Sequence, residues 1–413
     1  MKKNKFLSLT IFISIITISF FEISCDNATG PVSDVSGVIY NDYHHPLSNI
    51  KVSTQGRTIR TLDDGRFNFS GISIPYDLTV SDSSFNSKTD LYKNLSAAYI
   101  ELSFDKYPIN NTYATLNITI PSEIIQQNVI CKVIYSDNDF TNVYGNILSP
   151  EQTITLQIPV FNNVIKGKIY VITYLRDVNL NILSYENYGS SPEIELNNGD
   201  VINYLFTKDQ LSLNPGEIDA ECTLELIYPN VLSYYYISFS QKNYSVSSIG
   251  ISELTGNYLQ FKIPTGIPDT YYNIVNSWNY NIANSGGSVI INPNTSNYLK
   301  MNEPCEILTP VIFKEIINSS TPFSFSSGEG SGIYEIELFN NVSHTTYRIF
   351  TSENNFTFDW LEDSATEDFS GDNFTWNVTK KGPFSSINDF AVNYFNIPTP
   401  FKTNSENGYF IFE

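Results

Sequence analysis

From residue 35 onward, hydrophobic side chains recur at every second position in short runs. Leu116, Ile118 and Ile120 alternate with Asn117 and Thr119, and Ile154, Leu156 and Ile158 with Thr153, Thr155 and Gln157. Leu259, Phe261 and Ile263 alternate with Gln260 and Lys262, Tyr334, Ile336 and Leu338 with Glu335 and Glu337, and Phe374, Trp376 and Val378 with Thr375 and Asn377. Successive side chains of a strand point to opposite faces, so these runs predict antiparallel strands with one apolar and one polar face. Gly, Pro, Asn and Asp interrupt them at short intervals, and no long stretch of period 3.6 follows residue 25. The pattern predicts an all-β chain of several antiparallel β-sandwich domains in tandem after a cleaved signal peptide. Ile74-Pro75, Ile120-Pro121, Ile158-Pro159 and Ile263-Pro264 share one strand-ending chemistry, because proline cannot donate to the ladder.

A chain of 413 residues has room for two to four domains. Turn-rich stretches divide it into a signal over residues 1–24, a tether over 25–34, and domains over 35–110, 111–214, 215–302 and 303–413. Asn110-Asn111, Leu213-Asn214-Pro215-Gly216 and Asn302-Glu303-Pro304 mark the borders, and the last domain ends on the strand-like run Tyr409-Phe410-Ile411-Phe412.

The first 25 residues follow a different rule. Lys2, Lys3 and Lys5 precede an apolar run from Phe6 to Phe21, and small Ser24 precedes Cys25. This is the layout of a secretory signal, and no later run is long and apolar enough to span a bilayer. A cysteine directly after an apolar run and a small residue resembles the lipobox of bacterial lipoproteins, with Glu22 standing where Leu is usual. The resemblance implies that Cys25 is the lipidation site and that the chain attaches to a membrane by this anchor, in the bacterial cell envelope at the outer membrane or cell surface. The alternative is ordinary cleavage to a free chain, or an uncleaved anchor.

Composition narrows the chemistry. The net charge is -20, from 23 Lys+Arg against 43 Asp+Glu, and no basic run with interleaved aromatics follows the first residues. Nucleic acid is therefore a poor partner. Three histidines, His44, His45 and His344, cannot supply a histidine-based metal site, and neither a C-x-x-C pair, a G-x-S-x-G elbow nor a phosphate-binding glycine loop is present. No catalytic residue, cofactor or metal ligand is expected. Cys131, Cys222 and Cys305 read as buried small hydrophobes.

Residues 35–82 carry the most specific pattern: Gly37-Val38-Ile39, Pro46-Leu47, Ile50-Lys51-Val52, Thr61, Asp64-Gly65, Phe67 and Tyr76-Asp77-Leu78-Thr79-Val80. Together they resemble the carboxypeptidase regulatory-like domain, a small transthyretin-like β-sandwich. The resemblance implies a fold and a membrane-proximal stalk role, without peptidase activity. Asp64-Gly65 independently suits a tight turn, with Phe67 and Phe69 aimed at one core. In the last domain, Phe323-Ser324-Phe325, Tyr334–Leu338 and Phe374–Val378 more distantly resemble the strands of a fibronectin type III or immunoglobulin-like domain.

Two features bear on ligands. The acidic run Glu362, Asp363, Glu367, Asp368 and Asp372 lacks the spacing of a calcium loop and reads as a charged loop. Trp278 lies in the polar stretch Asn276–Asn281 and is the candidate for stacking on a ligand ring, whereas Trp360 and Trp376 fall in alternating runs and read as core. At least one of Tyr234, Tyr235 and Tyr236 must face solvent, since neighbours on a strand point oppositely. The expectation is a non-catalytic, lipid-anchored envelope protein that acts as a multi-domain adhesion, binding or scaffold module for a protein or glycan. A carbohydrate-capture lipoprotein is the alternative, and a hydrolase with an unrecognised carboxylate site a third reading.

Overall fold

The computed structural model describes residues 31–413 apart from 42–43, 83–86, 106–112, 138–141, 149–150, 161–163, 179–181, 226–232, 242–243, 255–256, 268–269, 281–282, 292–294, 311–314, 358–368, 395–400, 406 and 413. The signal, Cys25, Trp360 and the acidic residues 362–368 lie outside the described residues.

The chain is all-β, with tandem sandwiches in which a three-stranded sheet faces a larger one. In the first three segments the smaller sheet follows one recurring order. The opening strand lies in the centre, between an antiparallel partner and a parallel final strand. These triplets are Val32–Tyr40 between Arg66–Ser73 and Tyr99–Ser103, Tyr113–Thr119 between Thr153–Pro159 and Val201–Leu205, and Ile218–Glu225 between Tyr258–Ile263 and Asn297–Lys300. Ile74-Pro75, Ile158-Pro159 and Ile263-Pro264 all close the antiparallel flanking strand, just before the chain crosses to the opposite sheet. Equivalent order together with equivalent endings makes these segments an internal repeat. The fourth segment departs from it: Ile307–Thr309, Phe323–Phe325 and Asn355–Phe356 pair antiparallel throughout.

The alternation places the core. Leu116, Ile118 and Ile120, Leu156 and Ile158, Leu259 and Ile263, and Phe374, Trp376 and Val378 are buried. Phe67 and Phe69 enter one core with their ring centroids 6.1 Å apart. Asp64-Gly65 forms the turn before them, where Gly65 has φ +74° and an added Cβ would meet the Ile39 carbonyl at 2.7 Å. The strands Val129–Asp137 and Val164–Arg176 bury both faces: one packs within the second segment, while Ile134, Tyr170, Ile172 and Tyr174 pack against Cys222, Leu259 and Leu299 of the third. A strand covered on both sides gains nothing from alternation, which explains the unbroken apolar run Ile169–Ile172.

Order along the chain is not order in space. A single 14-stranded sheet runs from Tyr244–Leu254 of the third segment, through the fourth, to Arg57–Arg60 of the first. Strand Thr346–Thr351 pairs in parallel with Lys88–Leu95, and Phe401–Asn404 pairs antiparallel with Ala283–Ile291. The fourth segment therefore lies between the third and the first, and Phe350, Phe384, Ile387 and Phe390 complete the first segment's core. The stalk expected of that segment is thus laterally fused to the last.

Charge sits inside this seam. Arg348 lies directly opposite Asp90 across the parallel pair, with Nε donating to Oδ1 at 2.8 Å and Nη2 donating to Oδ2. Asp90 is fully buried, and Glu335, expected on a polar face, is buried too, beside Arg348 at 3.8 Å and paired with Lys381. Burial alone would raise the Glu335 carboxyl, but Lys381 and Arg348 outweigh it and bring it down to about 2. Burial pushes the Asp90 carboxyl up against the pull of Arg348.

The short helix Ile387–Asn393 covers the seam. Ser386 Oγ accepts from Asp389 N at 3.1 Å, which satisfies one orphan amide of the first turn, and the Asp389 carboxylate accepts from Ser385 N, before the N-cap, at 2.8 Å.

Candidate binding face

The same three-stranded frame is filled differently in each repeat, and its outward face is where they diverge. In the second segment, that face is a hydrogen-bonded array of uncharged groups: Asn117 Nδ2 donates to Asn203 at 2.9 Å, Thr155 Oγ1 to Asn117 at 2.8 Å, and Thr119 and Thr153 share a bond of 3.0 Å. In the first segment the row across the three strands is Asn68, Ser36 and Tyr99, with one ring, whose hydroxyl donates to Glu101 at 2.9 Å.

In the third segment the row is Tyr258, Thr223 and Tyr298. Both tyrosines alternate with buried leucines, Leu259 and Leu299, so their rings must point outward, and they are 50% and 52% exposed. Because both stand in register with Thr223, one strand to either side, their backbones are about 10 Å apart, twice the strand spacing. The Tyr258 hydroxyl donates to Glu221 and the Tyr298 hydroxyl to Glu225, each carboxylate standing two residues from Thr223 on the central strand. The hydrogen bond to Glu221 raises the Tyr258 phenol above its ordinary range. Each ring is thereby tied through its hydroxyl to a carboxylate of the central strand.

The surroundings are acidic. Lys262 is held by Glu217 at 2.8 Å and Asp219 at 3.2 Å, and Lys300 by Glu329 at 3.2 Å and Glu225 at 3.8 Å. Beside Tyr258, a cavity of about 480 Å³ opens between Asp219, Glu221, Gln260, Phe261, Thr295 and Ser296, where Ser296 Oγ reaches Glu221 at 3.3 Å.

Other candidates fall elsewhere. Trp278 lies in strand Thr270–Tyr280, opposite Ser233 on one side and Ser285 on the other, within the 14-stranded sheet; its side chain, like those of Tyr234, Tyr235 and Tyr236, is outside the described residues. The structure does not bring it into the Tyr258–Tyr298 face, which belongs to the opposite sheet. Trp376 is fully buried, with Nε1 donating to the Pro310 carbonyl at 3.3 Å. His45 is buried, its amide donating to Asn41 Oδ1 at 2.9 Å. Cys131, Cys222 and Cys305 are buried free thiols, which burial pushes up to about 12, 11 and 12. Among the described residues no group of three or more His, Cys, Asp or Glu could hold a metal, and no helix is long and apolar enough to cross a membrane. Asp372, from the acidic run, accepts from Asn340 Nδ2 at 2.6 Å.

Sequence reasoning passed over Tyr258 and Tyr298. The signal was there: in Tyr258-Leu259-Gln260 and Tyr298-Leu299-Lys300, the leucine belongs to the core and the tyrosine to the opposite face.

No known protein family and no curated protein matches the chain. Among solved structures it is similar to a candidate adhesin from Bacteroides ovatus, at 8% identity over 46% of this chain and 90% of that one, with a TM-score of 0.17. It is also similar to a tetra-tandem repeat from the extending region of a large adhesion protein (9% identity, 93% and 100% of the two chains, TM-score 0.16). A third is BcpA, the major pilin subunit of Bacillus cereus (9%, 66% and 99%, TM-score 0.14). At these TM-scores the likeness carries no argument, and the fold assignment rests on the strand order itself.

Proposed function

We propose that the chain is a non-catalytic, lipid-anchored adhesion or scaffold protein of a bacterial cell envelope, and that the outward face of its third segment is its binding surface. The observation that carries the second half is the Tyr258–Thr223–Tyr298 row, two half-exposed rings whose hydroxyls are bonded to carboxylates of the strand between them. Aromatic groups held this way are enriched where proteins recognise ligands, because little ordering remains to be done on binding. The first half rests on the basic, apolar and Ser24-Cys25 pattern of the N-terminus. A diacylated cysteine supplies the two chains that stable anchoring needs, which suits a strongly acidic protein that anionic headgroups would repel.

The test is fractionation and protease treatment of whole cells carrying the wild type or Cys25→Ala. Membrane-bound, protease-accessible wild type with released Cys25→Ala is the expected result. Identical fractionation of the two would overturn the anchor, and complete protection of the wild type in intact cells would move the protein to an internal face of the envelope.

A further inference from the structure

We infer that the Tyr258–Tyr298 face binds an uncharged glycan chain laid across the strands, an inference that rests on the binding surface proposed above. Three features select this ligand class. The first is the pair of rings. A sugar ring presents an apolar C–H face that packs on an aromatic face, while its hydroxyls project at the edge. Two rings rooted on strands whose backbones are about 10 Å apart, with Thr223 in register between them, suit an extended chain better than they suit a single sugar.

The second is the placement of acceptors. Glu221 and Glu225 flank the row and are acceptor-only groups, matched to sugar hydroxyls as donors, while Gln260, Thr295 and Ser296 line the adjoining cavity with groups that both donate and accept. That cavity, about 480 Å³, gives room for a branch beside Glu221, to one side of the row.

The third is charge. Glu217, Asp219, Glu221 and Glu225 outnumber Lys262 and Lys300 on this face, and both lysines are already held by carboxylates. A sulfated or uronate-rich polymer would meet repulsion here without a compensating cation, whereas an uncharged chain would not. The rows Asn68–Ser36–Tyr99 of the first segment and Thr155–Asn117–Asn203 of the second hold one ring and none, so the row with paired rings belongs to the third repeat.

Affinity electrophoresis of the mature chain tests this, with gels containing hydroxyethyl cellulose, β-1,3-glucan, galactomannan or xylan as uncharged probes and polygalacturonate as the charged one. Retardation by at least one uncharged polymer and none by polygalacturonate is expected. Tyr258→Ala and Tyr298→Ala should each weaken it roughly tenfold, and Tyr258→Phe, which keeps the ring, should stay within about threefold. Unchanged thermal unfolding verifies that these exposed substitutions leave the fold intact. Retardation that survives the double alanine variant would place the glycan site elsewhere, and retardation by polygalacturonate as strong as by the uncharged polymers would overturn the ligand class. Should no polysaccharide retard the chain while the tyrosine pair is still required for cells to attach to a protein-coated surface, the glycan inference falls and the binding face stands.

Discussion

Replacing Arg348 with methionine removes the cation from the buried seam between the first and fourth segments while keeping most of the side chain's volume. Asp90 is then left as a fully buried carboxylate without the paired guanidinium that faces it across the parallel strands. Breaking a buried pair from one side costs about 3–5 kcal/mol, because the remaining charge keeps its desolvation penalty and loses its partner. A chain of several sandwiches does not unfold in one step, so a single melting temperature is a poor readout. Hydrogen exchange resolved to peptides 88–95 and 346–351 reads the seam itself. If the strands open as a unit, exchange in both peptides should accelerate by roughly two to four orders of magnitude, as the loss of about 3–5 kcal/mol requires. Asp90→Leu combined with Arg348→Met should recover much of the protection, since an apolar pair replaces the ions at little cost. Unchanged exchange, acceleration in only one of the two peptides, or a double variant as damaged as the single one would refute the reasoning.

The seam also carries a pH signature. Glu335, held at about 2 against an ordinary 4.5, contributes stability that is complete above its unfolded pKa and is lost as pH falls through its folded one, a term of about 3 kcal/mol. Asp90, which burial raises, titrates in the opposite sense, so the informative comparison is wild type against Glu335→Gln: the gap between them in seam protection should shrink from pH 5 to pH 2, and a constant gap would contradict the assignment. The three buried thiols, with pKa values raised by burial to about 11 or 12, should resist a thiol reagent at pH 8 in the folded chain and react fully in denaturant. Rapid modification of Cys131 without denaturant would show that the second segment's core is open to solvent.

Much of the fold was legible because its strands follow simple alternation with one wet face. Leu116–Ile120 and Phe374–Val378 announce both their conformation and their buried side, and Trp376 could be assigned to the core for that reason. What alternation does not encode is which strands become neighbours. Thr346–Thr351 gives no sign that its partner is Lys88–Leu95, because pairing between distant segments depends on edges that each sandwich leaves open. Glu335 was misplaced by the same rule, since its outward face is covered by the seam, where Lys381 and Arg348 make a buried carboxylate tolerable. The helix at 387–393 is too short for periodicity, yet Ser386 and Asp389 stand at capping-box spacing and mark its start. Tyr258 and Tyr298 were passed over because a polar stretch drew attention to Trp278, whereas the exposure of the two tyrosines follows from their alternation with Leu259 and Leu299.

The union of the first and fourth segments sets a schedule for the newborn chain. Asp90 and Arg348 are 258 residues apart, so at roughly 5–20 residues per second Asp90 waits on the order of 10–50 s for its partner to be synthesised. Until then the first sandwich has an open edge at Lys88–Leu95 and a core without Phe350, Phe384 and Phe390. Exposed strand edges and apolar patches are where newborn chains aggregate, so the first sandwich is exposed to its copies until residues 346–390 have been made.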